Sequence, residues 1–260
     1  MKREFFKFLY KIQEFYPEEI SLSKEEYIIL ENLLFNKTNN KVSFKNEKKD
    51  FKSYNANTID KSSFIYNNIE DLYNKYKNCS LCYLKDYRKN IIFGKGKLSP
   101  DIMLIYEKPS EEDSRNPDKL FINDRGRIIL AFLKSEGINT KNMFITPFIK
   151  CFAEKEIKES VYYSCLEIIK EEIKIINPKL ILTFGANIGT TLLKEVGIID
   201  SIDYPISELR LREFSFLNIP MLITYDYNLI LTNKRIYNYF KLKDLPFIGE
   251  VYRKVLGSSI

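Results

Sequence analysis

Histidine is missing from all 260 residues of the chain, and that one absence removes several chemistries together. No Ser-His-Asp triad, Cys-His pair, His-ligated zinc site or imidazole general base is available. Also missing is any run of about 18 uncharged apolar residues, so no membrane-spanning helix is expected. The start, Met1-Lys2-Arg3 followed by Phe5, Phe6, Phe8 and Leu9, has the look of a secretion signal, but Lys7 and Lys11 interrupt it and no small-residue cleavage site follows. It reads instead as the first turns of an amphipathic helix. Glycine and proline are scarce at 9 each, while Lys, Asn, Ile, Tyr and Phe abound. That bias is the imprint of an A/T-rich coding sequence more than of a structural class, so surface Lys and Asn carry little information.

What is present suits a folded domain of enzyme size: 45% of the residues are hydrophobic, enough for one large core or two small ones. The formal charge of +6 permits contact with a polyanion, and a solvated basic surface explains it equally well. The expected compartment is the cytoplasm, where structural disulfides are rare and four cysteines point to metal or redox chemistry.

Residues 1–35 read as an N-terminal helical extension of two short helices. The second is announced by Ser23 with Glu26 three positions on, a capping box ahead of Ile28, Ile29, Leu30, Leu33 and Leu34. Residues 36–62, rich in Asn, Lys, Ser and Thr, read as a polar linker. Residues 63–260 form the main domain. There Phe64, Ile69, Leu72 and Tyr76 keep a helical spacing up to Cys79. Beyond Cys82 short apolar strands alternate with amphipathic helices, which predicts an α/β fold: a three-layer α/β/α sandwich around a central, mainly parallel four-stranded sheet. The strands are Ile102 to Tyr106, Met143 to Thr146, Leu180 to Phe184 and Met221 to Tyr225, with Arg210 to Phe216 as a candidate edge strand. Helices are expected near Gly126 to Ser135, Val161 to Ile176 and Asn187 to Val196. Ligands gather at the carboxyl ends of such strands, which directs attention to 106–124, 146–160, 184–187 and 224–233.

Cys79 and Cys82 form a C-x2-C turn, and Cys151 and Cys165 stand thirteen residues apart. Four thiolates suit either zinc or a [4Fe-4S] cluster, and a buried cysteine is often simply core. Matched C-x2-C pairs are the usual zinc-knuckle pattern. The wide second pair departs from that pattern and favours a cluster.

The order of motifs from Tyr76 to Tyr239 resembles the iron-sulfur uracil-DNA glycosylases known as family 4. Cys79-Ser-Leu-Cys82-Tyr-Leu and Arg88-Lys-Asn90-Ile-Ile-Phe93-Gly94-Lys-Gly96 are similar to that family's CxxCxL and R-x-N-x-V-F-G-x-G segments. Tyr106-Glu107-Lys108-Pro109-Ser110-Glu111-Glu112-Asp113 looks like its GE-x-PG-x-x-ED motif, and Leu120-Phe121-Ile122 sits at its Pro-Phe-Val. Met143-Phe-Ile-Thr-Pro147-Phe-Ile-Lys150-Cys151 and Asn177-Pro178-Lys179-Leu180-Ile-Leu-Thr-Phe184-Gly185-Ala186 match its second-strand and P-x-x-I-x-x-L-G-x-x-A segments.

The resemblance implies a [4Fe-4S] cluster, or alternatively zinc, on Cys79, Cys82, Cys151 and Cys165, with DNA as partner. It implies a flipped base stacked on Phe121. Separately, a monomer with no membrane partner is expected. In the family an Asn after the second strand reads the base edge and a His after the last strand stabilises the leaving group; here those positions hold Pro147 and Asp226. Candidate catalytic residues are therefore Glu107 and Asp226. A carboxylate at 226 repels a departing uracil anion unless burial or Glu107 raises its pKa enough to keep it protonated. Arg88, Lys95, Lys97, Lys108 and Lys150 are candidate phosphate contacts. Three functions compete: a DNA glycosylase with an altered base preference, a catalytically degenerate DNA-binding iron-sulfur protein, and a zinc-stabilised interaction module.

Overall fold

The computed structural model describes residues 69–201 and 203–257; the helices and linker expected within 1–62, and Phe64, lie outside them. The chain runs through α1 (Ile69–Tyr76), a 3-10 turn (Tyr83–Asp86), β1 (Asn90–Ile91), β2 (Lys95–Gly96), β3 (Ile102–Tyr106), α2 (Glu111–Arg115), α3 (Asp124–Ser135) and β4 (Met143–Pro147). It continues with β5 (Cys151–Phe152), α4 (Glu159–Ile176), β6 (Leu180–Phe184), α5 (Ala186–Glu195), α6 (Ile206–Leu209), β7 (Phe214–Phe216) and β8 (Ile219–Thr224). The last elements are α7 (Tyr227–Thr232), α8 (Lys234–Tyr239), a π-turn (Phe240–Asp244) and α9 (Leu245–Val255). No described helix is long and apolar enough to cross a membrane.

The architecture is α/β with a mainly parallel sheet in the order β2-β4-β3-β6-β8-β7. Its centre is the expected set of four, β4, β3, β6 and β8, all parallel. Two antiparallel edges enlarge it to six strands: β7, inside the segment expected to supply an edge, and the two-residue β2. β3 and β6 are buried at every position, as continuous apolar runs must be when both faces of a parallel sheet are covered.

Side-chain alternation separates the faces. Met103, Ile105, Ile181, Met221 and Ile223 pack with Val161, Leu166, Ile169 and Ile173 of α4 and with Ile188 and Leu192 of α5. Toward the other face Phe184 meets Phe240 of the π-turn, which meets Phe132 of α3. The long helix α4 ends where Asn177 takes a left-handed conformation (φ 48°) and Pro178 follows, a common helix stop.

Register fixes the functional edge. Tyr106 pairs with Pro147 and with Phe184, and Phe184 pairs with Thr224, so all four parallel strands finish level. The residues that follow, Glu107, Gly185 and Asp226 among them, emerge along one rim.

Candidate active site and cysteine cavity

Behind β3, Ser110 opens α2 with a reciprocal capping box: its hydroxyl accepts from the Asp113 N–H while Asp113 accepts from the Ser110 N–H. Asp113 is fully buried. One of its oxygens accepts from the Tyr106 hydroxyl at 2.9 Å, and the other accepts from the Phe121 N–H at 2.8 Å. Asp113 therefore ties strand end, helix start and base-stacking candidate together.

Phe121 stands at φ 61°, a left-handed conformation that costs a bulky residue about 1–3 kcal/mol and persists only where its surroundings impose it. Gly126 helps to impose it: a Cβ there would lie 2.4 Å from the Phe121 carbonyl oxygen and 2.9 Å from its ring. The Phe121 ring is fully buried. Tyr106 lies against it with centroids 5.1 Å apart, and Tyr227 meets it edge-on at 4.9 Å.

Glu107, half-buried, accepts a hydrogen bond from the Tyr162 hydroxyl of α4 and another at 3.3 Å from the Asn187 side chain of α5, which also reaches the Tyr162 hydroxyl at 3.1 Å. Asp226 is the N-cap of α7; one carboxylate oxygen accepts from the Asn228 and Leu229 N–H groups. Burial raises the Asp226 carboxyl above its usual range against the lowering effect of those bonds, and the negative charge of Glu107 adds to the rise. Pro147 closes β4 beside Tyr106 and offers neither an N–H nor a polar side chain.

The four cysteines come from three places: the turn after α1, the strand β5 and the second turn of α4. All four are free thiols, and they line one cavity together with Arg88 and Lys150. β5 is held by β1, with Ile91 opposite Cys151. Burial pushes the Cys165 thiol up to about 12 and raises that of Cys151 as well. Among the described residues no three Cys, Asp or Glu side chains stand close enough to share a single ion.

Beneath this cavity lies a buried ion pair. Lys150, 1% exposed, bonds Glu172 at 2.6 Å, and Glu172 also accepts from Thr146 Oγ1, Gly94 N and Tyr73 Oη. Lys150 is thus not the phosphate contact its sequence position suggested: burial and a carboxylate partner remove it from the surface. Lys97 and Lys108 are exposed, Lys95 pairs with Asp118, and Arg88 turns inward to the Cys79 carbonyl.

Residues 93–243, more than half of the chain, match the family described as the Uracil DNA glycosylase superfamily. The chain belongs to that superfamily. Among its relatives, the type-4 uracil-DNA glycosylase of Pyrobaculum aerophilum is 27% identical over 133 residues, covering 50% of this chain and 66% of the relative. That of Saccharolobus solfataricus is 25% identical over 134 residues, with 50% and 62% covered, and that of Thermotoga maritima 27% over 120 residues, with 45% and 62% covered. The match thus spans a little under two thirds of these relatives' length.

Within this superfamily member, two features of the site leave no mark in the sequence. Nothing in the spacing of Tyr162 announces its bond to Glu107. Asn187 gave no signal at all. The role of Asp113 was legible: Ser110-x-x-Asp113 is a capping-box pattern.

Proposed function

We propose that this protein is a DNA-binding, cluster-bearing member of the superfamily whose place for a flipped uracil is filled by its own rings. The observation that carries the reading is Phe121. A stacking platform must offer one face to the extruded base, yet this ring is fully buried, with Tyr106 and Tyr227 upon it. Pro147 cannot read a base edge, and Asp226 is engaged in capping α7. A site that recognises a base by paired polar groups loses discrimination steeply once those groups are gone.

Cys79, Cys82, Cys151 and Cys165 would hold the metal group, with zinc as the alternative to [4Fe-4S]. A lone zinc at about 2.3 Å from each sulfur requires thiolates roughly 3.8 Å apart, whereas in a cluster each thiolate meets its own iron. The four thiols reach one cavity from three segments, and the wide spacing of Cys151 and Cys165 departs from the matched pairs of a zinc knuckle, which favours the cluster. When bound, the cluster would supply a covalent cross-link among the turn at 79–82, β5 and α4. Exposed Lys108 beside Glu107, and Arg125, which bonds Asn228 at 3.1 Å, would meet phosphates along the strand-end rim. The glycosylase-like domain would span 63–260 and act as a monomer.

Fluorescence anisotropy with single-stranded oligonucleotides tests this. Equal affinity for uracil-containing and uracil-free strands, falling steeply with salt, is expected; a marked preference for uracil would overturn the filled-pocket reading. Glu107, clasped by Tyr162 and Asn187, favours a second reading, excision of another damaged base with Glu107 positioning water, which requires the Tyr227 ring to swing aside. Cleavage of one member of a lesion panel, lost in Glu107→Gln, would establish it.

A further inference from the structure

The cysteine cavity contains a contact that the base pocket does not use. Arg88 leaves the segment after the 3-10 turn and directs its guanidinium back over the C-x2-C loop. Its Nη1 donates to the Cys79 carbonyl and stands 3.9 Å from the Cys151 sulfur, within hydrogen-bonding reach for sulfur. Two of the proposed ligand segments, distant in sequence, are joined through one cation. Across the cavity the positive charge of Lys150 is engaged by Glu172 at 2.6 Å. On the same loop Lys85 is exposed and pairs with Asp86.

We infer that Arg88 sets the reduction potential of the iron-sulfur cluster at Cys79, Cys82, Cys151 and Cys165, an inference that rests on the cluster reading proposed above. Cluster potentials follow net charge, hydrogen bonds to the sulfurs and exposure to solvent. One-electron reduction adds a negative charge that is shared with the ligand sulfurs. A donor that is itself cationic stabilises that more negative state more than the oxidised one, because hydrogen bonds to charged acceptors are the stronger ones. Arginine keeps its charge at every working pH, so its effect is a fixed upward offset. The electron enters from an external reductant, dithionite in the experiment below, and no proton need move.

The test is a potentiometric titration of the anaerobically purified full-length protein, followed by the spin signal of the reduced cluster. Arg88→Gln should lower the equilibrium constant for one-electron reduction about tenfold, a shift of about 59 mV to more negative potential. Lys85→Gln, which removes a charge from the same loop without touching a sulfur, should leave it unchanged. If Arg88→Gln cannot be loaded, Arg88→Lys is read in its place and should fall between wild type and the tenfold shift. A loaded variant at Arg88 with the wild-type potential, or a Lys85→Gln shift as large as that of Arg88→Gln, would refute the inference while leaving the cluster reading intact. Wild-type protein without iron would overturn the cluster reading itself.

Discussion

Removing the Glu172 carboxylate will destabilise the domain by about 3–5 kcal/mol, and the reason lies in what it leaves behind. Glu172 is fully buried and accepts from Lys150 Nζ at 2.6 Å, Thr146 Oγ1 at 2.8 Å, Gly94 N at 3.0 Å and Tyr73 Oη at 3.2 Å. At an effective dielectric constant near 20 the Lys150 attraction amounts to roughly 6 kcal/mol, but taking both ions out of water offsets most of it. The pair is therefore worth little net, whereas an orphaned Lys150 is expensive; losing one partner of a buried pair costs about 3–5 kcal/mol. For a domain of this size each kcal/mol moves Tm by about 2–4 °C, so Glu172→Ala should lower Tm by roughly 6–20 °C in thermal unfolding. The double variant Lys150→Met/Glu172→Gln removes both charges, while the Gln amide keeps an acceptor for the Gly94 N–H and a donor for Thr146 Oγ1, so neither buried group is left unpaired. It should recover a large part of the loss. A single variant within about 1 kcal/mol of wild type, or a double variant as unstable as the single, would refute this reasoning.

Two further changes probe the strand-end rim. Asp226→Ala should cost about 0.5–2 kcal/mol through loss of the α7 cap, whereas Asn caps as well as Asp and Asp226→Asn should not. The same pair reports on charge. A carboxyl raised in the folded state binds more protons there than in the unfolded chain, so wild-type stability should fall as pH rises from about 4, the unfolded value, through the raised folded value; Asp226→Asn should flatten that part of a pH-dependent denaturation series. Gly126→Ala places a methyl 2.4 Å from the Phe121 carbonyl oxygen and should cost about 1–3 kcal/mol by overpacking, visible as a lower urea midpoint with an unchanged slope.

The four parallel strands were legible because each is a short apolar run bounded by turn residues, and burial on both faces demands that composition. β2 and β5, two residues each, were not, because their pairing with β4 and β1 is decided by tertiary contact and leaves no period in the sequence. The boundaries of α4 and α5 came within two residues for the opposite reason: their apolar faces repeat over several turns. Lys150 misled because a lysine in sequence carries no sign of burial, and its partner Glu172 lies 22 residues away on α4. Asp226 is legible as a cap, since it precedes the helical run of Leu229 and Ile230. The filling of the Phe121 face depended on Tyr106 and Tyr227, two positions separated by most of the domain, and only the sheet register brings them together.

Excision of uracil from single-stranded DNA under single-turnover conditions, with protein in excess, bears most directly on the account. The rings of Tyr106 and Tyr227 against Phe121 predict no product above the protein-free control while the strand remains bound. Rapid release of uracil, abolished by Phe121→Ala, would contradict it.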